Sequence, residues 1–213
     1  MIRDLFDDDV RDLWLAPGSI LLGGFARRFE APCVTALRRV MEVAPFRHMV
    51  TPSGHRMSVA MTNCGAAGWV TDRTGYRYDS HDPQTGRRWP AMPDVFADLA
   101  ARAAARAGFD GFVPDACLIN RYEPGARLSV HQDKNERDFS APIVSVSLGL
   151  PAVFLLGGLR RADMPRRVPL AHGDVVVWGG PARLRYHGVL PLEAGHHLRM
   201  GGHRFNLTLR RAA

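Results

Sequence analysis

Three residues with metal-binding side chains are spaced in a way that suggests one site. His131 and Asp133 are separated by one residue at the end of a strand-like run, and His187 lies on a second predicted strand. Because side chains of a strand alternate between its two faces, His131 and Asp133 are expected on the same face. Two imidazoles and one carboxylate form the facial triad of non-haem Fe(II) oxygenases. These three residues are therefore candidate iron ligands and the candidate catalytic centre.

A second pair with the same spacing, His172 and Asp174, shows that the spacing alone is weak evidence. With nine histidines and sixteen aspartates in 213 residues, chance gives about one such pair. Gly173 lies between the two residues and an all-apolar run follows, so Gly173 and Asp174 are explained as turn formers. We expect a turn at this position and no metal.

The last predicted strand places two arginines on one face. In the stretch RFNLTLR, polar and apolar residues alternate, so Arg204, Asn206 and Arg210 share a face. Two inward-facing arginines with Cα atoms about 20 Å apart would leave a gap that suits a five-carbon dicarboxylate. The alternative is a solvated basic face on an edge strand. Asn120 and Tyr122 alternate in the same way and could contact the same anion, or serve as ordinary cross-strand partners.

The elements that would position these residues are mainly strands. Apolar stripes at helical spacing follow Pro32 and Pro93, and the second stripe ends at Gly108. Eight short β-like stretches follow residue 115: ACLINRY, ARLSVH, PIVSVSLGL, AVFLL, RRVPL, DVVVWGG, RYHGVL and HRFNLTLR. This order predicts an α+β, mainly β fold, in which a double-sheet jelly roll is buttressed by helices, rather than a parallel α/β sheet.

The segment 51–90 differs from the rest of the chain. It is rich in Gly, Thr, Asn and Asp, yet it carries methionines and aromatic residues, among them Met61, Trp69 and Tyr76. A flexible backbone with flat side chains is typical of a substrate lid. The alternative is an irregular segment whose aromatic residues pack into the main core.

Composition narrows the class of protein. Hydrophobic residues make up 46% of the 213 residues without a run long enough for a membrane helix, which favours one globular domain and no membrane. The net charge is +7 and Lys134 is the single lysine, so guanidinium groups dominate the positive surface. Such a surface suits phosphate, although genomic base composition also explains an excess of Arg over Lys.

The cysteines and the N-terminal residues bear on the compartment. Cys33, Cys64 and Cys117 are widely spaced and odd in number, which indicates buried thiols in a reducing compartment rather than disulfides. The first ten residues, MIRDLFDDDV, are acidic and do not resemble a secretory signal. We therefore expect a cytoplasmic protein.

Several long stretches resemble one family in order. They are MVTPSGHRMSVAMTNCG, DPQTGRRWPAMP, PDACLINRYEPGARLSVHQDK, APIVSVSLGLPAVF, HGDVVVWGG, RYHGV and RFNLTLR, and they span about residues 46–210. The sequence resembles the AlkB family of Fe(II)- and 2-oxoglutarate-dependent dioxygenases. The resemblance implies the double-stranded β-helix, a form of jelly roll. It divides the single domain into an N-terminal extension and helix (1–50), a nucleotide-recognition lid (51–90), a helix (91–114) and the catalytic core (115–213).

The resemblance also assigns roles to individual residues. It implies iron binding by His131, Asp133 and His187. It implies 2-oxoglutarate binding by Asn120, Tyr122, Arg204, Asn206 and Arg210. It implies substrate contacts from Met61, Trp69, Tyr76, Asn135, Ser145 and Arg161. At Asn135, close relatives carry a carboxylate, and a neutral amide attracts a cationic base less, so base preference is open.

The implied activity is oxidative dealkylation of bases such as 1-methyladenine and 3-methylcytosine in DNA. It consumes O2 and 2-oxoglutarate and releases formaldehyde, succinate and CO2. The expected partner is alkylated DNA, preferably single-stranded and also double-stranded, bound by a monomer. Phosphate contacts are expected from arginines beside the lid: Arg73, Arg77, Arg160 and Arg161. The same chemistry on RNA or protein, and a non-catalytic jelly-roll module that binds metal or nucleic acid, are the alternatives.

Overall fold

The computed structural model describes residues 12–212, which contain fourteen strands and two α-helices. The helices are α1 (Glu30–Val43) and α2 (Asp94–Arg106). The first strands are β1 (Leu13–Ala16), β2 (Ser19–Leu22), β3 (Arg47–Val50), β4 (Arg56–Gly65), β5 (Gly68–Asp72) and β6 (Gly75–Asp79). They are followed by β7 (Ala116–Tyr122), β8 (Leu128–His131), β9 (Ile143–Gly149), β10 (Ala152–Leu156), β11 (Arg166–Leu170), β12 (Val175–Trp178), β13 (His187–Val189) and β14 (Arg204–Arg210).

Two antiparallel sheets form a jelly roll. The large sheet has the order β1-β2-β12-β9-β14-β7-β4-β3, and the small sheet has the order β11-β10-β13-β8. Strands β7 to β14 coincide with the eight stretches predicted from the sequence, so the predicted mainly β jelly roll is confirmed. The non-consecutive neighbours within each sheet show that the chain crosses repeatedly between the sheets, as a double-stranded β-helix requires.

Alternation along the central strands separates two cores. Leu207 and Leu209 of β14 pack with Leu37 of α1 and Leu99 of α2 on the helix side of the large sheet. On the opposite face lies a second apolar cluster, which includes Phe154 and joins the two sheets. The helices therefore cover one face of the large sheet, and the predicted buttressing role is confirmed. The other face of β14, with its arginines, lies between the sheets.

The segment 51–90 is not one irregular unit. Its first part, β4, pairs with β7 over six residue pairs and belongs to the large sheet. Only β5 and β6 stand apart, as a two-stranded hairpin. The alternative of an irregular segment therefore does not describe β4, and within the segment predicted as a lid only β5 and β6 form a separate hairpin. Alternation could not reveal this strand, because β4 is buried over most of its length and shows no polar face.

The β5–β6 hairpin is fixed to the body of the protein at its base. The Asn63 side chain donates to the Trp69 carbonyl and accepts from the Trp69 amide, both at 3.0 Å. A Cβ at Gly68 would lie 2.5 Å from the Trp89 ring, so this close approach requires glycine. Beyond the hairpin, Arg47 and Asp82 form an ion pair at 2.6 Å.

Two further predictions concern the burial of the cysteine thiols and the lack of a membrane-spanning helix. Cys33, Cys64 and Cys117 are all free and buried on the helix side of the large sheet, so the predicted buried thiols are confirmed. Within residues 12–212, neither helix has the length and apolar character needed to span a bilayer.

Candidate active site

Strand pairing brings the two candidate histidine ligands together. His131 on β8 is the direct cross-strand partner of His187 on β13, and their ring centres are 4.5 Å apart. Asp133 was expected on the same strand as His131, but it lies two residues beyond the end of β8. Its carboxylate nevertheless faces the two imidazole rings. Its Oδ1 is 3.7 Å from Nε2 of His131, and its Oδ2 is 3.6 Å from Nε2 of His187. One donor atom from each residue lies within 4.8 Å of the others.

Backbone carbonyls set the tautomers of both histidines. Nδ1 of His131 donates to the Ser129 carbonyl at 2.7 Å, and Nδ1 of His187 donates to the Arg185 carbonyl at 3.0 Å. Each Nε2 is therefore left with a lone pair directed at the shared space, as metal-binding histidines require. Desolvation in the cavity and the nearby His187 lower the pKa of His131 to about 4. Its imidazole is thus neutral, which suits a metal ligand.

Arg210 forms an ion pair with the candidate carboxylate ligand. Its Nη2 and Nε donate to Oδ2 of Asp133 at 2.6 and 3.2 Å. Although burial opposes ionisation, the Arg210 guanidinium holds the pKa of Asp133 well below its usual range. Nη1 of Arg210 is buried and has no hydrogen-bond partner among residues 12–212. One donor of this buried arginine is therefore left to bind an anion.

Arg204 is the clearer anion site. It is 1% exposed, and no carboxylate pairs with it in the described part of the chain. Its Nη2 donates to Oγ of Ser147 at 3.0 Å, whereas its Nε and Nη1 are buried without a well-aligned hydrogen-bond acceptor among residues 12–212. Its guanidinium carbon lies 4.9 Å from the ring centre of Tyr122, and the Tyr122 hydroxyl interacts with the same guanidinium. Buried guanidinium groups need an anion, so these orphaned donors fit a carboxylate of 2-oxoglutarate.

Hydrogen-bonded amide side chains lie between the two arginines along the sheet. Nδ2 of Asn120 donates to Oδ1 of Asn206 at 3.3 Å, and Nδ2 of Asn206 donates to Oγ of Ser145 at 2.8 Å. Asn120 and Asn206 are also direct partners in the β7–β14 register. Ser145 therefore supports the Asn206 amide as well as bordering the cavity.

One cavity of about 760 Å³ is lined by all fourteen predicted site residues. They are His131, Asp133 and His187; Asn120, Tyr122, Arg204, Asn206 and Arg210; and Met61, Trp69, Tyr76, Asn135, Ser145 and Arg161. At its mouth the Trp69 and Tyr76 rings stack with centres 5.7 Å apart. Nε1 of Trp69 donates to Oδ1 of Asn135 at 3.2 Å. The predicted metal, anion and aromatic groups therefore share one space.

Two of the four arginines expected to contact phosphate are engaged by carboxylates. Arg77 pairs with Asp72 at 2.9 Å, and Arg160 pairs with Asp163 at 3.1 Å. Arg161 lines the cavity.

The turn expected at His172 and Asp174 is present. Both carboxylate oxygens of Asp174 accept backbone N–H groups, from Gly24 and Ala171. Nδ1 of His172 accepts from the Gly149 amide, so this pair has a structural role.

Sequence reasoning missed a buried cluster behind Arg210. The Tyr78 hydroxyl donates to Oε1 of Glu136 at 2.6 Å, and Nη2 of Arg183 lies 3.0 Å from Oε2 of Glu136. Glu136 belongs to the polar run KNERD, which looks solvent-exposed in the sequence. The only signal for this cluster was the position of Glu136 three residues after Asp133.

Comparison with known proteins places this site in a family. Residues 18–210 match the family described as the 2OG-Fe(II) oxygenase superfamily. The chain is 57% identical to alpha-ketoglutarate-dependent dioxygenase AlkB of Salmonella typhimurium, over 99% of this chain and 98% of that protein. The chain belongs to the AlkB family of 2OG-Fe(II) oxygenases. The AlkB-family resemblance inferred from the sequence is thereby confirmed.

The chain is also similar to a human protein and to a solved structure. The chain is 36% identical to nucleic acid dioxygenase ALKBH1 of Homo sapiens, over 61% of this chain and 34% of that protein. The solved structure of OsALKBH1 superposes with a TM-score of 0.82 at 28% identity, covering 94% of this chain and all of the other. The jelly roll described above is thus the fold of the AlkB family.

As an AlkB-family dioxygenase, the protein uses Fe(II) and 2-oxoglutarate. The donors present suit both groups, because two imidazoles and a carboxylate suit iron and the buried arginines suit a dicarboxylate. When bound, these groups supply the oxidation of a C–H bond by O2, coupled to decarboxylation of 2-oxoglutarate. The protein contributes the positions of the reacting groups.

Proposed function

We propose that this dioxygenase removes alkyl groups from the ring nitrogens of nucleobases, with 1-methyladenine and 3-methylcytosine as substrates. The products are the repaired base, formaldehyde, succinate and CO2. The observation that carries the proposal is that the His131, Asp133 and His187 cluster opens into the same cavity as the stacked pair Trp69 and Tyr76. A flat aromatic substrate held there would present its alkyl group to the metal position.

Each group of residues has a distinct task in this proposal. His131, Asp133 and His187 hold iron. Arg204 and Arg210 bind the two carboxylates of 2-oxoglutarate, and the ring of Tyr122 supports the Arg204 guanidinium. Asn120 and Asn206 keep the floor between the arginines polar. Because the cavity walls fix these groups, the protein supplies orientation rather than new chemistry.

The aromatic residues at the mouth would recognise the base. An alkylated base inside a duplex is inaccessible, so it must be flipped out or presented on a single strand, at a cost of a few kcal/mol. Stacking of a cationic base between Trp69 and the His131 ring would add about 0.5–2 kcal/mol through cation–π attraction. Met61 and Ser145 border the base from the cavity wall, and Arg161 lies where a phosphate would pass.

The nucleic acid proposed as partner is single-stranded DNA, with duplex DNA as a second substrate. The human relative named nucleic acid dioxygenase supports nucleic acid as the substrate class. RNA carrying the same alkylated base would present a similar face to the cavity. We further propose a monomer that acts in the cytoplasm, where three free cysteines remain reduced.

The test is aerobic incubation with Fe(II), ascorbate, 2-oxoglutarate and a single-stranded oligonucleotide carrying one 1-methyladenine. Loss of one methyl mass with an equal amount of succinate supports the proposal. Succinate without demethylation rejects this substrate and points to RNA or protein. Neither product, with iron shown to be bound, favours a non-catalytic binding module. His187→Ala is the control that should remove both products.

A further inference from the structure

Two hydrogen bonds tie the β5–β6 hairpin to consecutive residues just after Asp133. Trp69 and Tyr78 are direct partners in the hairpin register, so they form one rung of it. Trp69 donates to Asn135 at 3.2 Å, and the Tyr78 hydroxyl donates to Oε1 of Glu136 at 2.6 Å. This rung, of which Trp69 lines the cavity, is therefore bonded to the loop that carries a candidate iron ligand.

Glu136 connects this rung to the candidate co-substrate arginine. Its side chain is 2% exposed, so the carboxylate has no water to satisfy it. Oε1, which accepts from Tyr78, also lies 3.3 Å from Nε of Arg210. Oε2 pairs with Arg183, whose Nη1 donates to the Asp133 carbonyl at 2.8 Å. One carboxylate oxygen is therefore shared by a residue of the hairpin and by Arg210.

The shared oxygen constrains the direction of the Arg210 guanidinium. Nε of Arg210 is within reach of both the Asp133 and the Glu136 carboxylates. Among the described residues, Nη1 is then the donor of Arg210 that remains without a partner. If the hydrogen bond from the Tyr78 hydroxyl is lost, the Glu136 carboxylate keeps its charge but loses a contact that fixes its side-chain torsion angles. The orientation of Arg210, and with it the free donor, would then be less well defined.

We propose that Tyr78 and Glu136 are positioning residues that couple closure of the β5–β6 hairpin to 2-oxoglutarate binding. This inference rests on the proposed function, in which Arg210 binds the co-substrate and the hairpin contacts the nucleic acid. A hairpin held down by nucleic acid keeps the Tyr78 bond and orients Arg210. Because coupling between two sites is reciprocal, bound 2-oxoglutarate must then tighten nucleic acid binding by the same factor.

The experiment measures this coupling factor. Mn(II) replaces iron, and the dissociation constant for a single-stranded oligonucleotide with one 1-methyladenine is measured by fluorescence anisotropy with and without saturating 2-oxoglutarate. We expect 2-oxoglutarate to tighten binding by about fivefold or more in the unchanged protein. In Tyr78→Phe the factor should fall to nearly one. In turnover, Tyr78→Phe should raise KM for 2-oxoglutarate several-fold while kcat changes less than twofold.

Tyr76→Phe is the matched control, because Tyr76 lies on the same strand and the same face as Tyr78. It should change oligonucleotide affinity equally with and without 2-oxoglutarate. Glu136→Gln supplies a second test: if Tyr78 acts through Glu136, adding Tyr78→Phe to Glu136→Gln should cause little further loss of coupling. Thermal melting confirms that each variant is folded.

Two outcomes overturn the inference. One is a coupling factor of one in the unchanged protein, and the other is an unaltered factor in Tyr78→Phe. Either result alongside active demethylation would remove the coupling but leave the proposed function intact. A factor that depends on Tyr78, in a protein that forms no demethylated product, would support the coupling and reject the proposed function.

Discussion

Nη2 of Arg210 lies 2.6 Å from Oδ2 of Asp133, so a candidate co-substrate residue and a candidate iron ligand form one buried ion pair. The pair leaves Oδ1 of the carboxylate free for the metal. It also keeps the carboxylate ionised, because the positive charge lowers the pKa of Asp133. In the proposed assignment, the co-substrate site and the metal site therefore share this ion pair.

Arg210→Ala should consequently affect both ligands. Loss of the guanidinium should raise KM for 2-oxoglutarate more than tenfold and KM for the oligonucleotide far less. It should also weaken Mn(II) binding, because the buried Asp133 carboxylate would lose the guanidinium that stabilises its negative charge. Calorimetric titration of Mn(II) into the variant and the unchanged protein at the same pH measures the difference. An unchanged KM for 2-oxoglutarate would contradict the assignment of Arg210.

Arg204 should make the folded protein less stable when 2-oxoglutarate is absent. Its buried guanidinium has no carboxylate partner among residues 12–212 and contacts only the hydroxyls of Ser147 and Tyr122, which costs stability until an anion binds. We expect Arg204→Met to raise the free energy of unfolding without 2-oxoglutarate by about 1–2 kcal/mol. The same variant should lose the increase in Tm that 2-oxoglutarate gives to the unchanged protein. A lower Tm in the variant without ligand would show that Arg204 is already satisfied.

Trp69→Ala tests recognition of the base. The variant removes both the stacking surface and the bond to Asn135, so binding to methylated oligonucleotide should weaken about tenfold or more. Binding to the unmethylated oligonucleotide should change little. The dissociation constants of both oligonucleotides provide the measurement. Equal losses on both would mean that Trp69 serves packing alone.

Asn135→Asp tests charge at the mouth of the cavity. Asp keeps the acceptor used by Trp69 and adds a negative charge beside the base position. We expect kcat/KM to rise for cationic 1-methyladenine and 3-methylcytosine relative to neutral 1-methylguanine. Asn135→Ser, which is neutral, is the control and should not shift this ratio. A parallel change on all three bases would exclude a charge effect.

The buried cysteines should make the free energy of unfolding depend on pH. Burial raises the pKa of Cys33 to about 12, whereas an unfolded thiol titrates near 8.5. Iodoacetamide at pH 8 should therefore label no cysteine in the folded protein and all three in urea. Since the unfolded state releases this proton at lower pH, the free energy of unfolding should fall as pH rises above about 8.5. Rapid labelling of the folded protein would contradict the buried positions.

Sequence patterns predicted the strands in which polar and apolar residues alternate. Arg204 and Arg210 on β14 follow a strict period of two, so their shared face could be inferred before their surroundings were known. The same reasoning identified His131 and His187, because each ends or begins a short strand. Asp133 was also found, although it lies beyond its strand, because its spacing from His131 was read together with His187; the spacing alone occurs again at His172 and Asp174, where its role is structural.

What could not be predicted depends on tertiary packing. Strand β4 is buried on both sides and resembles a loop in composition. Glu136 sits among charged residues, and nothing local indicates that it is buried against Arg183 and Arg210. Such clusters form when distant segments meet, and a single sequence carries no signal for that meeting.

The large sheet also separates two buried thiols from a methionine thioether that lines the cavity. Cys117 and Cys64 lie on its helix side, whereas Met61 faces the cavity in which O2 is consumed. A reactive oxygen species formed at the proposed iron position would meet Met61 before these thiols, because the large sheet lies between that position and the two cysteines. Oxidation would then fall on a thioether, whose sulfoxide can be reduced enzymatically, rather than on the buried thiols.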